Sequence, residues 1–312
     1  MMTCSLDGSL RAWNLETGEQ IGNDWRDEES RLYAAALSPD GKKMVSGGEG
    51  CVVKLWDIDT AKTIAKWTGH GGGITSVCWN RDGGRILSAS YDRTAMVWDA
   101  ESGNTILAIK TGHGTVYSAI YSPDETMIAS SGESGENGFI KIWDANTGAL
   151  IAKLEGHTDA VTCLVWTSQS TLISGSEDHS IRTWNTTTWE QIKVLSGHTD
   201  AVFAIKISDN GRILASASRD KTVRLWDLEN GQPIGSPLQH ADISSCVSFS
   251  TNGKILTTGC NDGNAYSWDI DPIVREAGRD KLFVSWPAFL ISPPTEPPIT
   301  GQQEIIPRLR ST

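Results

Sequence analysis

Seven tryptophans in this chain keep a regular beat. Trp13, Trp56, Trp98, Trp143, Trp184, Trp226 and Trp268 stand 43, 42, 45, 41, 42 and 42 residues apart, and each is followed by Asp or Asn. A histidine precedes each of the last five by 27 to 30 residues: His70, His113, His157, His198 and His240, the first four directly after Gly. A period of roughly 40–45 residues is the length of a unit of four short strands.

The local pattern agrees. In the unit ending at Trp226, "AVFAIKIS", "ILASAS" and "TVRLWDL" are β-rich runs split by the turns "DNGR" and "RDK". The turn "ENG" then leads to an outermost run, "QPIGSPL". Asp-Gly and Asn-Gly recur between the first two runs, at 40–41, 82–83, 210–211 and 252–253, where a tight hairpin demands positive φ. No apolar period of 3.6 residues survives within 1–268. The fold class is all-β.

With its Gly-His and Trp-Asp signatures in phase, the chain resembles the WD40-repeat family over residues 1–270. The resemblance implies a seven-bladed β-propeller with an incomplete first blade and a C-terminal tail outside the repeat. "LETGEQIG" and "DIDPIVREAG" are also similar to stretches of fungal WD-rich proteins.

Four residue types align between units. They are His70, Ser88, Asp92 and Trp98; His157, Ser174, Asp178 and Trp184; His198, Ser216, Asp220 and Trp226; and His240, Thr258, Asp262 and Trp268. In the family such a set is a structural hydrogen-bonded chain from Trp through Ser or Thr and His to Asp. A buried indole N–H and a buried imidazole both need partners, which is the physical sense of the set. Ser, His and Asp also invite a catalytic triad, but a nucleophilic site is one special constellation, and here the set recurs in four units. One histidine per unit cannot share a metal's ligand shell either. No catalytic residue, metal or cofactor is assigned, and the chain is read as no enzyme.

Two units depart from the pattern. The second has no His and carries Gly50 in place of the turn Asp; the fourth has the insertion "SGESGENG" (131–138). The opening "MMTCSLDGSLRAW" lacks the first run, most of the second and the His. The expectation is either that the chain is the tail of a longer one or that another segment fills the gap. Leu282 to Ile291 are the candidate filler, limited to an edge by Pro287. Residues 271–292 are read as a helix and strand extension, with the helix at "PIVREAGRDKLF". Residues 293–312 are read as a proline-rich disordered tail. Its "PPTEPP" run (293–298) has the composition of a polyproline ligand, although nothing basic flanks it closely.

Composition bounds the partners. Twenty-seven basic against 38 acidic residues give a net charge of −11 and a pI near 5.0. That balance argues against nucleic acid, whose binding rests on basic residues that displace counterions, and against an anionic membrane. No apolar run spans a bilayer and no secretory signal opens the chain. The six cysteines form no C-x-x-C pair, and three lie in strand-like runs as small hydrophobes. An intracellular location, cytoplasmic or nuclear, is expected.

Function then rests on the surface. By the family resemblance, the residue just inside the first run and the residue before the turn Asp crown one face of the propeller. Those positions hold Tyr33, Tyr117 and Phe203, and Glu49, Tyr91, Glu177 and Arg219. Aromatics and Arg anchor interfaces because they bury large area at low entropic cost. The reading is a non-catalytic scaffold that binds a protein or peptide partner there, within a complex. The alternative is a sensing or substrate-receptor module of a larger assembly, such as a ubiquitin-ligase adaptor or a fungal signalling protein.

Overall fold

The structure is a computed structural model that describes residues 2–5, 7–14, 19–26, 31–133, 138–167, 171–283 and 304–305. The chain lays down antiparallel sheets in sequence order, each a meander. The Trp226 sheet runs Val202–Ile207, Ile213–Ser218, Thr222–Asp227 and Gln232–Gln239. Six sheets carry an innermost strand: Leu32–Leu37, Ile74–Trp79, Thr115–Tyr121, Val161–Trp166, Val202–Ile207 and Ser244–Phe249. These strands pack against one another in turn, and the array is an all-β propeller.

The expected seven blades are corrected to six. Among the described residues, the Trp13 sheet consists of Met2–Cys4, Ser9–Trp13 and Gln20–Arg26 and has no innermost strand. A tryptophan marks the third strand of a unit, so counting tryptophans counts third strands, whether or not an innermost strand precedes them.

Burial explains the patterning of each strand. Second strands are sandwiched between neighbouring sheets and read as nearly continuous apolar runs, as in "ILASAS", where every residue is buried. Outermost strands face water on one side and alternate, leaving Ile64, Ile106 and Ile192 about half exposed. Cys51, Cys78, Cys163, Cys246 and Cys260 are free thiols.

After the Trp268 sheet the chain forms a helix, Asp271–Glu276, with Pro272 in its first turn, and a 3₁₀ turn at Asp280–Phe283. Ile270, Val274 and Leu282 join the apolar core beneath the Trp226 sheet, with Ile213, Leu225 and Ile234. Arg279 Nη1 pairs with Asp227 Oδ2 at 3.1 Å, and Asn210 and Arg212 donate to the carbonyls of Leu282 and Lys281. The extension is thus docked on the propeller. Residues 284–291, which carry most of the candidate filler strand, lie outside the described residues, as does 293–312 apart from 304–305. Glu304–Ile305 pair with Ala36 and Ala35 on the inner edge of the Leu32–Leu37 strand. No helix among the described residues is long and apolar enough to cross a membrane.

Candidate functional site

Each of three blades holds a continuous polar chain inside its core. In the Trp98 blade, Trp98 Nε1 donates to Ser88 Oγ (2.8 Å), Ser88 donates to His70 Nε2 (2.7 Å), and His70 Nδ1–H donates to Asp92 Oδ2 (2.9 Å). The Trp184 blade repeats it through Ser174 (2.9 Å), His157 (2.7 Å) and Asp178 (2.7 Å). The Trp226 blade does so through Ser216 (2.8 Å), His198 (2.7 Å) and Asp220 (2.8 Å).

The aspartate is the hub. Asp92 also accepts from the Gly71 N–H, and from the N–H and hydroxyl of Thr94. Burial works to raise the carboxyls of Asp178 and Asp220, yet the His157 and His198 bonds, with Ser180 and Thr222, hold both well below the usual carboxylate range. Burial pulls the imidazoles of His70 and His157 down, so the neutral tautomer with a proton on Nδ1 fits both ends of the chain. Ser88, Ser174 and Ser216 are 0 % exposed, which leaves none of these hydroxyls open to a substrate.

The Trp268 blade differs from the sequence reading. Trp268 donates to Thr258 (3.1 Å) and Thr258 bonds His240 Nε2 (2.7 Å), but His240 Nδ1 turns to the carbonyl of Leu238. Asp262 accepts instead from the Tyr266 hydroxyl, and the Tyr266 ring stands edge-on to His240 at 5.1 Å. A tyrosine two residues before the tryptophan thus takes the carboxylate from the histidine. In the Trp143 blade, Ser130 joins Trp143 (2.8 Å) to His113 (3.1 Å); in the Trp56 blade, Ser46 receives Trp56 (2.8 Å).

Sequence reasoning missed two further members of the set. Ser90, Ser176 and Ser218 accept from the N–H of Asp92, Asp178 and Asp220, and donate to carbonyls of the preceding loop. Thr94, Ser180 and Thr222 close the turn from the other side. The signal was present as Ser-x-Ser-x-Asp-x-(Ser/Thr) in "SASYDRT", "SGSEDHS" and "SASRDKT". Gly48 and Gly132 stand at the first of these positions in the two units without the turn Asp. A Cβ on Gly48 would sit 1.9 Å from the Arg31 carbonyl, so the loop closes directly on the backbone there.

The seven face residues sit on two structural positions. Each innermost strand carries a β-bulge in its first turn, and the skipped residue is Tyr33, Thr75, Tyr117, Thr162, Phe203 or Ser245. A bulge re-aims one side chain out of the alternation. Glu49, Tyr91, Glu177 and Arg219 stand in the turns beside it. Tyr91 is exposed and packs edge-on to Tyr33. The Tyr117 phenol is pushed up to about 12, first by burial and then by the charges of Glu177 and Glu133. Burial, together with Asp159 and Glu133, also raises the Glu177 carboxyl. Arg31 faces Glu49 at 3.8 Å and Arg219 faces Asp200 at 3.9 Å. Among the described residues, no ring contact joins Phe203 to the tyrosines. Thr75 and Thr162 point sideways and bond the next blade through the carbonyls of Val116 and Val202.

A family model described as "WD domain, G-beta repeat" matches residues 23–57, 61–99, 104–144, 148–185, 189–227 and 231–269. The chain belongs to the WD40 repeat family. Each WD40 match takes all or part of the outermost strand of one sheet with the three inner strands of the next, and the strands Met2–Cys4 and Ser9–Trp13 fall before the first match. Among WD40 relatives, the chain is 27 % identical over 180 residues to the U3 small nucleolar RNA-associated protein 15 homolog of Gallus gallus, covering 57 % of this chain and 34 % of that one. It is 28 % identical over 162 residues to human pre-mRNA-processing factor 17, covering 50 % and 28 %. It is 28 % identical over 171 residues to autophagy-related protein 16 of Arabidopsis thaliana, covering 54 % and 33 %. The chain spans about a third of the length of these curated relatives. Among the described residues, no group of His, Cys, Asp and Glu could hold a metal ion.

Proposed function

We propose that this WD40 chain is a non-catalytic interaction scaffold that takes a partner protein or peptide on the face holding Tyr33, Glu49, Tyr91, Tyr117, Glu177, Phe203 and Arg219. The observation that carries the reading is the bulge in each innermost strand. It takes one side chain of each innermost strand out of the alternation, and in three of six blades that side chain is aromatic. Arg31 and Arg219 face Glu49 and Asp200, and Glu133, Asp159 and Glu177 leave the charge around the tyrosines acidic on balance, so the fitting partner presents Lys or Arg beside apolar surface.

The relatives support a place in an assembly without naming the process. One carries a small nucleolar RNA in its name, another pre-mRNA processing, a third autophagy. Their shared element is the propeller, which serves unrelated processes by changing its face. In this chain the polar sets are sealed inside the blades, which leaves the face as the variable part.

The test places a photo-reactive residue at position 91 and, as control, at the exposed Glu229 on the opposite side of a blade. Cross-linking of one discrete partner from position 91, lost in Tyr33→Ala/Tyr117→Ala at unchanged melting temperature, is the expected result. Equal cross-linking from both positions would sink the reading.

A further inference from the structure

In the Trp13 sheet the strand Met2–Cys4 pairs with Ser9–Trp13 on one side, and its inner edge carries no strand among the described residues. The turn that follows is nevertheless built like those of the complete blades. Asp7 N–H donates to Ser5 Oγ (3.3 Å), and Asp7 Oδ1 accepts from the N–H of Ser9 (2.9 Å) and from its hydroxyl. In the Trp226 blade Asp220 N–H donates to Ser218 Oγ (3.1 Å), and Asp220 Oδ1 accepts from the N–H (2.9 Å) and hydroxyl (2.6 Å) of Thr222. The Asp92 and Asp178 turns are made the same way.

What differs is the other carboxylate oxygen. Oδ2 of Asp92, Asp178 and Asp220 receives a histidine Nδ1–H and the N–H of the residue after that histidine. Asp7 Oδ2 receives Arg11 Nη2 at 2.8 Å instead. At the matching place in the Trp184 blade, Arg182 stays 3.8 Å from Asp178 Oδ2, which His157 already holds. Arg11 is also bonded to Asp24, through Nε at 3.1 Å and Nη2 at 3.2 Å, so it can release Asp7 and remain paired. The Asp7 side chain is 44 % exposed, against 5 % for Asp178 and Asp220, so its carboxylate is open to a new donor. The Ser5 hydroxyl is unspent as well. Its counterparts Ser90, Ser176 and Ser218 donate to carbonyls of the loop ahead of the innermost strand, whereas Ser5 donates to none among the described residues.

The other blades fix which donor fits. His70, His157, His198 and His240 each stand four residues ahead of an innermost strand, which begins at Ile74, Val161, Val202 and Ser244. Five of the six histidines bond the serine or threonine of their own blade, and His179 lies in the turn after Asp178. None of them serves Asp7. We propose that the Met2–Cys4 edge and the Asp7 turn form a docking slot for a partner protein's extended strand with a histidine four residues ahead of it. The strand adds antiparallel to Met2–Cys4, as each innermost strand does to the second strand of its sheet. The histidine Nδ1–H takes the place of Arg11 on Asp7 Oδ2. Three residues of ladder are few, so the charge-assisted bond to Asp7 carries much of the selectivity. Glu304–Ile305 do not fill this place, because they pair with Ala36 and Ala35 of the neighbouring sheet.

The test uses the full chain and a labelled synthetic peptide copying residues 195–208, "LSGHTDAVFAIKIS", which carries His198 and its strand. Fluorescence anisotropy should show binding, and hydrogen exchange should slow at the amides of Met2–Cys4 when the peptide is added. His198→Ala in the peptide should weaken binding about tenfold, the worth of one hydrogen bond to a charged group. Asp7→Asn in the chain keeps the acceptor for Ser9 and turns an amide N–H toward the histidine. It should weaken the histidine peptide similarly and leave the alanine peptide unaffected. Equal binding of the two peptides, or no binding of either, overturns the proposal. Protection of Met2–Cys4 in the free monomer, or only as the chain self-associates, gives the slot to this chain's own residues or to a second copy and overturns it too.

Discussion

Tyr91 stands edge-on to Tyr33, 6.0 Å between ring centroids and 84° between planes, across the junction of two blades. Gly73 leaves the room for this pair, since a Cβ there would lie 3.2 Å from Tyr91 Cδ2 and 3.3 Å from Tyr33 Cε2. The two phenols therefore form one surface feature built from two repeat units. A double-mutant cycle of Tyr33→Ala and Tyr91→Ala in urea denaturation is expected to show coupling of about 0.5–1.5 kcal/mol. Strict additivity would mean that the rings act independently.

The divergence of the Trp268 blade sets up a paired test. Asp220→Ala strips His198 Nδ1, the Thr199 N–H and Thr222 of their acceptor and is expected to cost about 1–3 kcal/mol. Asp262→Ala removes the acceptor of the exposed Tyr266 hydroxyl and of the exposed Asn264 N–H, both of which water can serve, and leaves the His240 bond to Leu238 intact, so it should cost under about 0.5 kcal/mol. Equal losses would place Asp262 in the chain after all.

His113 is sealed under its blade beside Lys141, and burial, then that cation, pull its imidazole down to about 4. A histidine whose folded value lies below the unfolded one contributes stability that is fully present above about pH 6.5 and is lost as pH falls toward 4. The loss from this residue is on the order of 3 kcal/mol. His113→Gln should flatten that part of a stability-against-pH curve; an unchanged slope would refute the assignment. Below pH 4 the depressed carboxyls of Asp178 and Asp220 add a second loss, because their contribution is present above the unfolded value and disappears on protonation.

Arg279 holds the C-terminal extension through Asp227, whose side chain is almost fully buried. The arginine is partly exposed, so Arg279→Ala is expected to cost only about 1 kcal/mol. Its clearer readout is hydrogen exchange. Amides of 271–283 should exchange faster while those of Ile213–Ser218 stay protected, and uniform loss of protection would show that the extension and the blade unfold as one.

The order of strands, the all-β class and the internal hydrogen-bonded chains were legible in the residues because each is contained within one repeat. Trp98, Ser88, His70 and Asp92 lie within 29 residues of one another, and their spacing recurs, so the sequence compares itself with itself. The Ser90 and Thr94 positions were legible on the same grounds, but only by aligning the turn residues as closely as the tryptophans.

Other features depended on how residues are placed in space rather than on how they are spaced in the repeat. Asp262 looked like Asp220, but the folded turn places the Tyr266 hydroxyl, four residues on, against its carboxylate and turns His240 to the Leu238 carbonyl. Six blades rather than seven followed from whether an innermost strand exists, which a tryptophan on the third strand cannot report. The bulges that carry Tyr33, Tyr117 and Phe203 arise from a mismatch in register between paired strands, and register belongs to the pair. The cavity between Trp79, Tyr121 and Trp166 at the ends of three innermost strands needs three blades side by side before its walls face each other. Periodicity therefore determined the unit, whereas closure of unit against unit decided which side chains meet at its two ends.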